Sequence, residues 1–282
     1  MPAIAPSVGL PAEMVAKLEA MEWGLAQSVA RKLRSVARPA MLITSRRVST
    51  SPMQRDGLGK ADERPVSPAR LTATEGKFGG VPYMEDRETW GAYEFVGQFD
   101  LTAIGTQLSD PRLRGLLRVD VRSAHSFAES FRATWFPNPR PTSAMPVTGI
   151  PTRGAYEARH SLLPTWTLPS PRLIQSRVLA TGGELVADWL ISRGWVPPQF
   201  CHDAAVDHRV LGWPSWGLED HYGFVPPPGV SQDLNAWEMV LRLSMDQAAG
   251  FDWGNNWGYF LVPREDLERG DLRRIVITAA AT

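Results

Sequence analysis

One plan is written twice along this chain: a Gly/Pro turn, a strand-like run, an acidic residue, a second turn and another strand-like run. In the first copy Gly79-Gly80-Val81-Pro82 turns, Tyr93 to Leu101 alternates as a strand, and Asp100 stands at its end. Arg114-Gly115 turns again and Leu116 to Val121 forms the next strand. In the second copy Gly212-Trp213-Pro214 turns, Trp237 to Met245 is the strand, and Asp246 follows it. Asn256 to Gly258 turns, Tyr259 to Val262 completes the copy, and Ile275 to Thr278 is a last strand. The spacing is matched but unequal. Asp100 precedes Gly115 by 15 positions and Asp246 precedes Gly258 by 12, whereas Pro82 to Asp100 is 18 and Pro214 to Asp246 is 32. Short alternating runs joined by Gly/Pro turns predict antiparallel sheet, here from a diverged internal duplication of units at about 71–136 and 205–282.

Helical periodicity precedes the first copy. Met14, Leu18, Met21, Leu25, Val29, Leu33 and Val36 recur at three- and four-residue steps between Pro11 and Pro39, which predicts a long amphipathic N-terminal helix. Residues 49–70 carry turn signals and little apolar pattern, so residues 1–70 read as helix plus loop and 71–282 as the β-rich domain. Residues 137–171 hold eight prolines and read as an irregular connector, followed by a short helix from Gly183 to Gly194. Leu101 to Leu108, after Asp100, reads as a further short helix capped by that aspartate. The fold class expected is α+β, dominated by antiparallel sheet.

Charge restricts the partners. The chain has 30 basic and 30 acidic residues, which offers no general attraction to nucleic acid or an anionic membrane. The single cysteine, Cys201, precludes an intrachain disulfide or a multi-Cys zinc site. A signal peptide and a bilayer-length apolar run are both lacking, so a cytoplasmic protein is expected.

Lys77-Phe78-Gly79-Gly80-Val81-Pro82, Phe95-Val96-Gly97-Gln98-Phe99-Asp100-Leu101 and Arg114-Gly115-Leu116-Leu117 come in an order that resembles the YwqG-like family, a bacterial family of unknown biochemical function. His208-Arg209-Val210-Leu211-Gly212-Trp213-Pro214 and Trp253-Gly254-Asn255 leading into Gly258-Tyr259-Phe260 continue the likeness, which spans roughly residues 70 to 280. The family pattern has an acid in the C-terminal glycine turn where this chain has Asn255-Asn256. The resemblance implies an α+β fold and a setting near polymorphic-toxin or secretion-system genes, hence an immunity or antitoxin role.

The residues themselves supply no convincing catalytic set. Cys201-His202-Asp203 has the residue types of a triad, but consecutive side chains diverge on a strand or helix. His202, Asp207, His208 and His221 match no recognised metal-ligand spacing. His208 reads instead as an anchor for the turn that follows it. Gly57-Leu58-Gly59-Lys60 is too short for a phosphate loop, and Ser215 is not in a nucleophile elbow. Asp100 and Asp246 could act as a carboxylate pair if they converged, or each could cap the turn after its strand. Eleven tryptophans stand out, with Trp213, Trp216, Trp237, Trp253 and Trp257 in the second copy. With arginine they suit a protein interface, and with Asp a carbohydrate or small-ligand groove. The expectation is a non-enzymatic, cofactor-free protein that binds a cognate toxin or effector. The alternative is a hydrolase or small-ligand protein using Asp100, Asp246 and the Trp-rich block, and a third reading is a scaffold without a specific ligand.

Overall fold

A computed structural model describes residues 37–48, 71–85, 92–122, 131–140, 156–167, 208–214, 231, 236–246, 248–251 and 256–281. Ten strands form one antiparallel sheet: β1 (Arg38–Arg47), β2 (Lys77–Phe78), β3 (Tyr93–Asp100), β4 (Leu116–Arg122), β5 (Phe131–Phe136), β6 (Ala158–Thr167), β7 (His208–Leu211), β8 (Trp237–Leu243), β9 (Asn256–Pro263) and β10 (Val276–Ala281). The strand order is β10-β9-β8-β7-β1-β6-β2-β3-β4-β5. Two four-strand meanders, β2–β5 and β7–β10, thus flank a central pair, β1 and β6, joined over ten residue pairs from Arg38↔Thr167 to Arg47↔Ala158. The sheet curls into a nearly closed barrel. Phe131 on one edge strand reaches Phe260 near the other edge, with ring centroids 5.8 Å apart.

The core fills this curl. Met41 and Ile43 from β1, Phe78, Val96, Phe99, Leu117 and Val119 from the first meander, and Val210, Leu243, Phe260 and Val262 from the second belong to one apolar cluster. Period-two alternation places these residues inward and leaves their neighbours on the outer face.

The expected α+β class is corrected to mainly β. Among the described residues the helices are two short ones, α1 (Leu101–Leu108) and α2 (Arg264–Glu268). The expected long N-terminal helix over 11–36 lies outside the described residues, as do the loop at 49–70 and the helix at 183–194. Five strands are unexpected. β1 runs through Pro39, where a helix stop was read, β2, β5 and β7 had no strand assignment, and β6 lies inside the Pro-rich connector. Pro164 is tolerated in β6 because β2 pairs only with Arg159 and Ala158, which leaves the rest of β6 an edge on that side among the described residues. Asn256 to Gly258, expected to turn, instead opens β9 and pairs with β10.

The meanders share backbone devices. β3 carries a bulge between Phe95 and Gly97, and β8 one between Met239 and Leu241. After β2, Gly79 and Gly80 take φ of 59° and 72°; at the end of β7, Leu211 and Gly212 take 60° and 86°. Leu211 is the costly member, since a left-handed backbone crowds its Cβ by roughly 1–2 kcal/mol.

Candidate functional site

Among the described residues the interior of the barrel holds one polar cluster, and it forms where β7, β1 and β6 lie side by side. Inward alternation along β1 runs Met41, Ile43, Ser45, and Ser45 lies directly opposite His160 of β6. Ile43 lies opposite His208, the first residue of β7. The chain leaves β8 at Leu243 and tightens at Asp246 into a turn that returns at Phe251, whose N–H and C=O both bond Asp246 backbone atoms at 3.0 Å. Gly250, at φ 76°, allows that reversal.

Asp246 is the hub. Its Oδ2 accepts from Ser45 Oγ at 2.5 Å and from His208 Nε2 at 3.1 Å, and its Oδ1 accepts the Ala249 N–H at 2.8 Å. The Ser244 N–H donates to His208 Nδ1 at 3.2 Å, so Nδ1 is bare and Nε2 carries the proton given to Asp246. Burial pushes the Asp246 carboxyl up, but the bonds from His208, Ser45 and Ala249 outweigh it and hold the group below the usual carboxylate range. Serine and histidine thus both point at the aspartate. A nucleophilic triad needs the histidine between the other two, with a free nitrogen facing the hydroxyl, and here both imidazole nitrogens are occupied. The arrangement locks the 246–251 turn across the barrel, and further bonds pin the same turn: Tyr156 N–H to Ala249 O at 3.0 Å and Arg47 Nε to Ala248 O at 3.2 Å.

His160 is the contrasting member. Neither ring nitrogen has a hydrogen-bond partner among the described residues, and both are closed to solvent although the residue as a whole is partly exposed. The ring stacks on Phe99 at 5.0 Å and meets Phe78 edge-on at 4.4 Å. Burial, then the neighbouring His208, push its pKa down to about 3 against the pull of Asp246, so the imidazole is neutral at physiological pH. Gly76 makes room for it, since a Cβ there would come within 3.1 Å of Nδ1.

Asp100 stands at the end of β3 in the other meander. Its Oδ1 accepts the Ala103 N–H at 2.9 Å and caps α1. Asp246 accepts from Ala249 with the same three-residue spacing. Each sequence-selected aspartate therefore caps the turn after its strand. His208 does not anchor the Gly-Trp-Pro turn through its side chain. It bonds to Asp246, just past the neighbouring β8 and 38 positions away in sequence.

The described tryptophans pack rather than project. Trp237 and Trp257 are buried in a satellite cluster with Met239, Tyr259 and Leu261, and Trp237 Nε1 donates to Ser231 O at 3.0 Å. Trp213 is half-buried with the Arg38 guanidinium 3.5 Å over its ring, and Arg38 also reaches Glu238. Trp216 and Trp253 lie outside the described residues, as do Cys201, His202, Asp207 and His221. Among the described residues no group of three or more His, Cys, Asp or Glu is placed to hold a metal ion, and no helix is long and apolar enough to cross a membrane. Sequence reading missed Ser45 and His160, which sit more than 100 positions from each other and meet only through the β1–β6 register.

The fold and cluster define a mainly-β protein whose barrel interior is tied together by an aspartate-centred network. A family model described as a domain of unknown function, DUF1963, matches residues 76–280, and the chain belongs to that family. No curated protein matches the chain.

Proposed function

We propose that this chain is a non-enzymatic protein-binding module of the YwqG-like kind, working in the cytoplasm as an immunity protein that neutralises a cognate toxin or effector. The observation that supports this reading is a contrast on the outer face of the sheet. In the flanking meanders that face is covered: Lys77, Gln98 and Arg118 on one side and Arg209, Arg242 and Tyr259 on the other are all buried. On the central pair it is open, with Thr44, Arg46, Arg159, Ser161 and Leu163 exposed. Leu163 is 58% exposed, the one large apolar side chain so open among the described residues. An open face on the most rigidly paired strands suits docking by a partner. The immunity role comes from the family resemblance.

Co-expression with the products of adjacent genes tests the reading. The expected result is a co-purifying complex and protection of cells from the toxic member. If no neighbouring product binds and the gene protects cells from none, the proposal fails.

A further inference from the structure

Resting on the protein-binding reading above, we propose that the outer face of β1 and β6 receives an acidic protein surface, one carboxylate seated on Arg46 and Arg159 and one apolar side chain on Leu42 and Leu163. The β1–β6 register sets like opposite like on this face: Leu42↔Leu163, Thr44↔Ser161 and Arg46↔Arg159. Successive rows are two residues apart, about 7 Å, so the leucine row lies roughly 13–14 Å from the arginine row with hydroxyls between. Such a ladder has a direction, apolar at one end and cationic at the other.

The cationic end is short of acid. Like charges directly opposite on a sheet are destabilising, and the row continues to Lys77, which pairs with Arg159 across β6 and β2. Glu75 lies 3.2 Å from Arg159, and Glu157 lies 3.9 Å from Lys77 Nζ. Arg46 is exposed and has no ion pair among the described residues. Among the described residues three cations thus face two acids, and the cation left over is an exposed one. Two neighbouring guanidinium groups match a carboxylate, because each offers a planar fork of donors.

Other occupants fit less well. A single-stranded nucleic acid would use the cations but would find a leucine pair where stacking aromatics are needed. Among the described residues a second copy would bring the same arginines and, on this face, only Glu75 and the buried Glu157, both already paired.

The test uses the full chain and the purified products of the adjacent genes in calorimetric titrations at low and high salt. Arg46→Glu and Leu163→Asp are each expected to weaken binding about tenfold or more, and the salt dependence to shrink in Arg46→Glu. Arg273→Glu, at an exposed position in the segment before β10, is expected to bind as the parent does. In the free protein Arg46→Glu is expected to leave Tm unchanged or raise it by about 1–3 °C, as a Glu opposite Arg159 replaces a like-charged pair. A neighbour that binds all three variants equally overturns this assignment of the face and leaves the protein-binding reading standing. No binding by any neighbour overturns both. Binding of a DNA oligonucleotide lost in Arg46→Glu, or a dimer lost in Leu163→Asp, would assign the face to another occupant and overturn the proposal.

Discussion

In the first meander Lys77 lies opposite Gln98 and Phe78 opposite Gly97; in the second Arg209 lies opposite Arg242 and Val210 opposite Leu241. These positions correspond through the bulges and the left-handed pairs at the ends of the same strands, so the frames can be compared residue by residue. On the outer face of the first, a covering segment is held by neutral and cationic donors. Gln98 Nε2 bonds Ala73 O at 2.6 Å and Glu75 O at 2.8 Å, Gln98 Oε1 accepts the Tyr83 N–H at 2.8 Å, and Arg118 donates to Tyr83 O at 2.9 Å. The second meander uses arginine and tryptophan for the same cover: Arg209 donates to Trp213 O at 3.1 Å and Arg242 lies 4.6 Å over Trp257. Inside, the position that is His208 in the second meander is Gly76 in the first. The same frame therefore supports a histidine–aspartate bond in one half and an open approach to His160 in the other. Backbone geometry is shared where turns require it, and polar chemistry is placed singly.

The sharpest way to break the comparison is at the glycines. A Cβ on Gly115, at φ 78°, would lie 2.1 Å from the Phe136 carbonyl oxygen, a backbone atom that cannot move aside. A Cβ on Gly212, at φ 86°, would meet the Thr167 hydroxyl at 2.5 Å and the Ala40 Cβ at 2.9 Å, side-chain atoms rather than backbone. Gly115→Ala is expected to cost about 4 kcal/mol or more and Gly212→Ala about 1–3 kcal/mol, measured by urea unfolding. Equal losses would mean that the β4–β5 contact yields as readily as these side-chain atoms.

The two capping aspartates come next. Asp246→Ala removes the acceptor for Ser45, His208 and Ala249 inside the barrel, and a cost of about 3–4 kcal/mol is expected. Asp100→Ala loses a single N-cap at a partly exposed helix start, worth about 1 kcal/mol. Similar unfolding free energies for the two variants would show that the interior network is not what distinguishes the halves.

Much of the meander frame was legible because it is local. The turns at Gly79-Gly80 and Gly212, the strands near Tyr93, Leu116 and Trp237, and α1 behind Asp100 each follow from residues within one turn or one alternation. The central pair was not. β1 begins at Arg38, beside the Pro39 that reads as a helix stop, and β6 contains Pro164, which in isolation argues against a strand. Their pairing joins positions about 110–130 apart, and no local pattern encodes it. The site inherits that limit. Asp246 and His208 could be picked as residue types, but their bond depends on the pairing of β7 with β8, and Ser45 had no local mark at all. Alternation of Ala158, His160, Leu162 and Pro164 was the available signal for β6, hidden by the prolines around it.

Lys77 and Arg209 give a subtler contrast, because one of two corresponding buried cations can lose its proton. Burial pushes the Lys77 pKa down from 10.5 to about 8, against the pull of Glu157 and Glu75, while its Nζ donates to Thr72 O at 3.0 Å. Below pH 8 the lysine is charged in both folded and unfolded chains, and the full cost of burying that charge is present. Between about 8 and 10.5 the folded chain releases the proton and the unfolded chain keeps it, so the unfolded state binds more protons and stability rises with pH. Above that window both forms are neutral. The gain from this one group is on the order of 3 kcal/mol. Lys77→Met cannot titrate, so the stability of the parent relative to Lys77→Met is expected to climb across this window and to be flat on either side. Urea unfolding of the two proteins at matched pH isolates the lysine, because every other titrating group cancels in the difference. Lys77 is then the source of any alkaline gain that disappears in the variant. A difference that does not change with pH would mean that the lysine keeps its proton in the folded chain, and that Glu157 and Glu75 hold it as firmly as solvent does.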